Sequence, residues 1–464
     1  MNGMVVLRVV SCSALIAGST ATAAPLVTVD VVSARTNAVY ACGALAKLTV
    51  TVTDKASGRK LSSGRLRYRL DDFGSAIVSE GEVDLAARNP FELSGTLEKP
   101  GVLRLKVSAK DGSFEVESRA GQYGWAWGAA FGVPEIRQAQ PCPDDFAAFW
   151  KKARAKLDRT VPADPRMTEV PSMETGAARF YRISVASFGR RVYGMMSVPK
   201  DMPGKLPVWV YVPGAGCEDW SNYVVEFDAR AINVVLTVFP WEVGWSDGGK
   251  ETKAKYKAML AEIKSRWGVD NYGQAGLDAA TREDYFFYPV ILGCVRALEC
   301  LAAMPRADPQ RMYYYGSSQG GGLGLALTAL FGRFAASACL VPAFCDLDAE
   351  STGRQGVWPM AGLGEDFRKR ATANARYFDT CNFSRLIRTP VAYEVGGGDL
   401  VNPPHCGLAA YAACPSAGKR LVFRPAQGHD AGGKMKESLV RWMLEHRFSG
   451  RLTKKKGVCF EERR

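Results

Sequence analysis

Histidine is scarce: the 464 residues contain three, His405, His429 and His446. Any chemistry that needs an imidazole must use one of them. Among the twelve cysteines there is no Cys-x-x-Cys pair, so the ligand spacing of a structural zinc site is missing and no metal is expected. Long apolar runs are also absent. No segment reaches the roughly eighteen uninterrupted apolar residues that argue for a spanning helix, so no membrane span is expected. Concentrated positive charge is rare as well. The net charge is +13, but apart from "RLTKKK" near the C-terminus the basic residues are scattered and no nucleic-acid-binding motif appears. A solvated basic tail over 451–464 is the expectation, with no nucleic-acid partner.

What remains is a globular composition, 47% hydrophobic and 23% charged, in a chain too long for one ordinary core. The first 23 residues have a signal-peptide pattern: Arg8, the apolar "VVSCSALIAG", then Ala21-Thr22-Ala23 as a small-residue cleavage site. Export to the periplasm or outside the cell is therefore expected. Cleavage would remove Cys12 and leave an odd number of cysteines, so at least one thiol stays unpaired. Buried thiols account for most of the rest, with one or two disulfides as the alternative.

From residue 24 to about 130 the pattern has period two. "LVTVDVV", "KLTVTVTD", "RLRYRL", "EVDL", "FELSGTL", "VLRLKVSA" and "SFEVES" read as short strands between Gly, Asp, Asn and Pro turns, predicting a small immunoglobulin-like β-sandwich. It shows no catalytic cluster. Alternation stops in "GWAWGAAFGVPEIRQAQPCP", where the first domain should end. "PDDFAAFWKKARAKL" then has helical spacing, and strands and helices alternate to about residue 450. The order, antiparallel at first and then βα units, predicts an α/β-hydrolase fold with a mostly parallel sheet covered on both faces.

The motif that carries chemistry is in "RMYYYGSSQGGGLGLALTAL", Arg311 to Leu330. Gly316-x-Ser318-x-Gly320 fits a nucleophile elbow, a strand-to-helix turn so tight that small residues must flank the serine. The serine hydroxyl then stands clear, and the helix N-terminus offers N–H groups to a developing anion. "GWSDG", Gly244 to Gly248, also matches the pattern. It lies well past its strand, however, and the charged "GKETKAKYK" follows where a packed apolar helix should begin, so Ser246 is the weaker choice.

A serine nucleophile needs a base. His446 sits in the last helix between charged neighbours, and His405 follows two prolines at a helix start. His429, in "FRPAQGHDAGG", follows the final predicted strand on a loop, where this architecture delivers its histidine. The acid should follow an earlier strand. Asp399 in "VAYEVGGGDLVNPP" suits a carboxylate at a strand tip, with Asp346 and Asp348 as rivals; Glu394 is mid-strand. Oxyanion donors are expected from the backbone N–H of Gln319 and from Gly214 or Ala215 in "VPGAG".

"GSSQGGG", with "YPVILGCVRALECL" upstream and "GGGDLVNPPHCGLAAYAAC" and "GHD" downstream, resembles the acetyl xylan esterase and cephalosporin C deacetylase family, carbohydrate esterase family seven. The resemblance runs from about Cys142 to Phe448 and excludes the β-rich N-terminal part. It implies removal of acetyl groups from short sugar chains, no cofactor, and a tendency to oligomerise. Two departures stand out. "FPWEVGW" replaces the family's Arg-Gly-Gln signature, and Pro213-Gly214-Ala215 replaces its His-Gly-Tyr. Trp241 and Trp245 are candidates for a sugar-stacking wall, core packing being the competing reading. Two other functions fit the same triad or scaffold. One is a peptidase of the prolyl oligopeptidase kind, for which the N-terminal part is too short to form a propeller of four or more blades. The other is a non-catalytic polysaccharide-binding protein.

Overall fold

The computed structural model describes residues 24–74, 76–118, 124–216, 228–242, 250–430, 435–450 and 458–460. The signal-like segment, Trp245, Ser246 and the "RLTKKK" stretch lie outside these residues.

The N-terminal strands form two sheets. One has the order Phe91–Gly95, Ala46–Asp54, Leu26–Ser33, Glu115–Val116; the other has Val39–Tyr40, Trp127–Phe131, Gly101–Ala109, Arg65–Asp71, Ile77–Asp84. The alternation seen in the sequence is the cause. Ala46, Leu48, Val50 and Val52 point inward while their neighbours face outward, and they pack with Leu66, Leu103, Leu105 and Phe131. Neither sheet is a propeller blade array.

The strand Trp127–Phe131 lies within the stretch where alternation stops. All five of its residues are buried. Trp127, Ala129 and Phe131 join the N-terminal core, and Ala130 joins the core of the α/β region. A strand covered on both faces has no period-two signature, which is why the sequence pattern ends here while the sheet continues.

The third sheet has nine strands in the order Arg166–Glu169, Ala178–Ser187, Arg190–Pro199, Ile232–Leu236, Leu206–Val212, Ala307–Ser317, Ala336–Leu340, Val391–Gly396, Lys419–Arg424. Each of the first four is antiparallel to the next within that group, and the fourth also begins the parallel part. The last six are mutually parallel. On one face Met312 and Tyr314 meet the helices Phe287–Ala303 and Gln319–Phe331. On the other, Tyr313 and Tyr315 pack towards Leu439 and Met443 of the helix Met435–Leu444. This is the α/β-hydrolase fold. Val391–Gly396 and Lys419–Arg424 lie two and three strands away from Ala307–Ser317 and run parallel to it, and the loops after them reach back to the Ser318 turn.

Three details bear on the expectations. The charged segment after Gly248 does form a helix, Lys250–Trp267, with only Thr252 and Ile263 buried; its mixed charges sit on a solvated surface. In the basic tail, Phe460 is buried in the main core, so that end of the chain is anchored by an aromatic ring rather than wholly solvated. Finally, no disulfide joins the cysteines among the described residues and most of them are buried, in keeping with the buried-thiol reading rather than its alternative. Burial raises the Cys294 and Cys300 thiols to about 12, which leaves them inert.

Candidate active site

Ser318 joins the strand Ala307–Ser317 to the helix Gln319–Phe331 with φ 55° and ψ −118°. An L-residue rarely holds this left-handed backbone, so the surrounding structure must enforce it. Two contacts do so: the Ser318 N–H donates to the Leu340 carbonyl at 2.9 Å, and the Ser318 carbonyl accepts from Ala343 at 3.0 Å. Close packing explains the small residues around it. A Cβ on Gly320 would lie 1.8 Å from the Val212 carbonyl oxygen, so the helix could not approach the sheet with any larger residue there.

His429 occupies the loop after Lys419–Arg424. Its Nε2 is 2.9 Å from Ser318 Oγ, and its Nδ1 is 2.9 Å from Asp399 Oδ2. Asp399 is fully buried. Its other oxygen, Oδ1, accepts from the backbone N–H groups of Val401 at 2.8 Å and Asn402 at 2.9 Å. The carboxylate is therefore held by three donors, which fixes its orientation. Asn402 is pinned in turn through its side-chain amide, which donates to the Val341 carbonyl at 2.8 Å.

The rival acids are engaged elsewhere. Asp346 accepts from the Ala139 N–H at 2.6 Å and pairs with Arg354 at 2.8 Å; Asp348 accepts from Gln140 at 2.6 Å. Glu394 is buried against Arg424. Among the histidines, His405 is fully buried and donates from Nε2 to the Gln355 carbonyl at 3.1 Å. Burial, with the Arg354 charge nearby, depresses it to about 3, so it stays neutral. His446 caps the last helix, with Nδ1 2.9 Å from the Trp442 carbonyl.

Two of the expected oxyanion donors sit beside the serine. Gln319 is the first residue of its helix, where N–H groups have no partner within the helix. A Cβ built on Gly214 would lie 3.7 Å from that of Ser318. Ala215, one residue on, is exposed. The Gln319 side chain ties the two elements together: Nε2 lies 3.5 Å from the Pro213 carbonyl and 3.4 Å from that of Gly214, while Oε1 accepts from the Tyr272 hydroxyl at 2.6 Å. Tyr272 was not foreseen from sequence. It sits in a long loop without periodicity, and only the polar residue inside the serine motif hinted that a partner was needed. Trp241 stacks on Phe239 with centroids 5.0 Å apart and a 6° interplanar angle, and Phe239 meets Tyr272 at 5.3 Å. The core-packing reading thus describes Trp241 at least in part.

The three glycines before Asp399 have a physical reason. A Cβ on Gly398 would come within 2.1 Å of the Ala126 carbonyl oxygen, and one on Gly128 within 2.3 Å of that of Gly397. The Gly128 N–H also donates to the Pro425 carbonyl at 2.9 Å. Backbone from the N-terminal β region therefore rests directly on the tips of the strands that carry the acid and the histidine. Among the described residues no His, Cys, Asp or Glu group could hold a metal ion, and no helix is long and apolar enough to cross a membrane.

A half-buried serine on a strained strand-to-helix turn, backed by an imidazole and a buried carboxylate on an α/β-hydrolase sheet, has the geometry of a serine hydrolase site. Residues 132–446 match the model of the acetyl xylan esterase (AXE1) family, and the chain belongs to that family of carboxylic ester hydrolases. It is 26% identical over 383 residues to the acetyl esterase Axe7A of Xylanibacter ruminicola, covering 79% of each chain. Its fold is similar to that of an acetyl xylan esterase from Paenibacillus sp. R4, with TM-score 0.55 and 20% identity over 68% of this chain and 98% of the other. Acetyl xylan esterase 1 from Thermoanaerobacterium sp. gives TM-score 0.55 and 23% identity over 68% and 97%.

Proposed function

We propose that the protein is an exported esterase that removes acetyl or similarly small acyl groups from carbohydrate, using Ser318, His429 and Asp399. The observation that carries this reading is the unbroken pair of 2.9 Å contacts from Asp399 through His429 to Ser318. His429 takes the Ser318 proton as Oγ attacks the ester carbonyl, Asp399 stabilises the resulting imidazolium, and the Gln319 and Gly214 amides receive the oxyanion. The tetrahedral intermediate collapses with His429 returning a proton to the leaving sugar oxygen. Water then enters, activated by the same imidazole, and releases the acid. Membership of the family and the acetyl esterase relative support the acyl group.

We read residues 1–23 as a signal peptide, residues 24–130 as a β-sandwich domain and residues 131–450 as the catalytic domain. N-terminal sequencing of material exported by a bacterial host should start near residue 24. For the chemistry, Ser318→Ala should abolish release of acetate from acetylated xylo-oligosaccharides and of 4-nitrophenol from its acetate, with the melting temperature retained. Turnover within tenfold of the parent would sink the proposal. Peptide amides assayed in parallel should not be cleaved.

A further inference from the structure

One charged pair in the N-terminal β region is buried, with the half-exposed Arg69 reaching it at 3.3 Å from the surface. Asp71 and Arg104 are both buried, and their side chains pair through two bonds, Arg104 Nε to Asp71 Oδ1 at 2.7 Å and Nη2 to Oδ2 at 2.9 Å. Burying such a pair is costly in desolvation and is a poor source of stability by itself. The remaining guanidinium nitrogen leaves the β region: Nη1 donates to Gln355 Oε1 at 2.7 Å. Gln355 belongs to the α/β region, and every polar group it has is engaged. Its backbone N–H donates to the Phe73 carbonyl at 2.9 Å and its carbonyl accepts from His405, while its side-chain Nε2 donates to the Leu400 carbonyl at 2.8 Å.

The Leu400 carbonyl belongs to the peptide group whose N–H, on Val401, donates to Asp399 Oδ1. A single file of hydrogen bonds therefore runs from Arg104 to Gln355, through the 400–401 peptide, to Asp399 and on to His429. From Arg104 to the carboxylate each donor points the same way, an arrangement in which each bond polarises the next. The charge that starts it is supplied by the β region.

We propose that Arg104, held by Asp71 and acting through Gln355, is a positioning residue for the acid: it fixes the 400–401 peptide and so the orientation of Asp399. This gives the N-terminal β region a part in the reaction and rests on the triad reading above. It touches no substrate. Its loss should lower kcat while leaving KM nearly unchanged, because the acid acts on the imidazolium that forms in the transition state.

The test is a double-mutant cycle on the full chain. Kinetics on 4-nitrophenyl acetate and thermal melting are measured for Arg104→Met, Gln355→Leu, Asp399→Asn and the pairs Arg104→Met/Asp399→Asn and Gln355→Leu/Asp399→Asn. Arg104→Met and Gln355→Leu should each lower kcat about tenfold, the low end for a group that orients a first-line residue, with KM within twofold. Added to Asp399→Asn, each should cost less than about twofold, since the group they act through is gone. Gln355→Glu separates positioning from packing: it keeps an acceptor for Arg104 but cannot donate to the Leu400 carbonyl, and should lose as much kcat as Gln355→Leu with its melting temperature near that of the parent. Full kcat in folded Arg104→Met or Gln355→Leu, or an equal loss in both backgrounds, overturns the proposal. Should Asp399→Asn itself retain full activity, the triad reading fails instead. Should Arg104→Met not fold, the Gln355 variants decide.

Discussion

The two halves of the molecule use buried charge in opposite ways. In the α/β region Asp399 is buried among donors and faces the His429 imidazole, which reaches on to Ser318. In the β region Asp71 is buried against Arg104, with Arg69 beside it, and the Arg104 guanidinium presents a hydrogen-bond donor to Gln355 of the other region. On the positioning proposal, a region without catalytic residues still bears on the reaction. Carbonyl oxygens of Ala126 and Gly397 lie where no side chain could fit between the two halves, so the β region fits against the glycines that lead to Asp399 to within an atom's width.

The largest expected effect tests the catalytic half. Asp399→Asn should lower kcat by about ten-thousandfold, the order seen when a triad loses its acid, measured on 4-nitrophenyl acetate; a loss under tenfold would break the contrast drawn here. Next comes the seam. Gly398→Ala should drive a methyl into the Ala126 carbonyl, costing about 1–3 kcal/mol by overpacking, and should lower the melting temperature and kcat together. A variant as stable and as active as the parent would mean that the halves do not depend on this close approach. A smaller effect is expected on the oxyanion side. Tyr272→Phe leaves Gln319 Oε1 without its donor and should cost about 1–3 kcal/mol of stability, with kcat reduced several-fold because the 213–214 loop loses its tether.

The smallest effect concerns pH. His405 is neutral in the fold, at about 3 against an ordinary 6.5. Between those values the unfolded chain binds a proton that the folded chain does not. The stability this group contributes is therefore complete above about pH 6.5 and falls as pH drops, by up to about 1.4 kcal/mol per pH unit. Asp379 works against this. Burial, with Asp346 beside it, raises it to about 7, so its contribution is lost as pH rises from its ordinary 3.8 towards 7. Comparing the parent with His405→Gln separates the two: the parent's advantage in melting temperature should shrink from pH 7 to pH 5. A constant difference would contradict the burial argument.

Much of this was legible in the residues. The strands of the β region announced themselves by alternation because each has one wet face. The serine motif was readable because the turn makes a local steric demand, and His429 and the glycines before Asp399 were readable because each directly follows a strand that the sequence pattern marks. What could not be read is non-local. Trp127–Phe131 hid because both of its faces are covered. Gln355 and Tyr272 sit in segments without period, and their importance comes from partners distant in sequence. Arg104 lies in a strand of regular alternation where an arginine is ordinarily a solvated residue; only the packing of two regions turns it inward.

The central claim is that Ser318 is the nucleophile, activated by His429. The most direct measurement is reaction of the full chain with a fluorophosphonate, followed by proteolysis and mass spectrometry of the labelled peptide. The account predicts one stoichiometric adduct on Ser318, slowed strongly in His429→Ala. An adduct on another residue, or none from protein that still hydrolyses acetate esters, would contradict it.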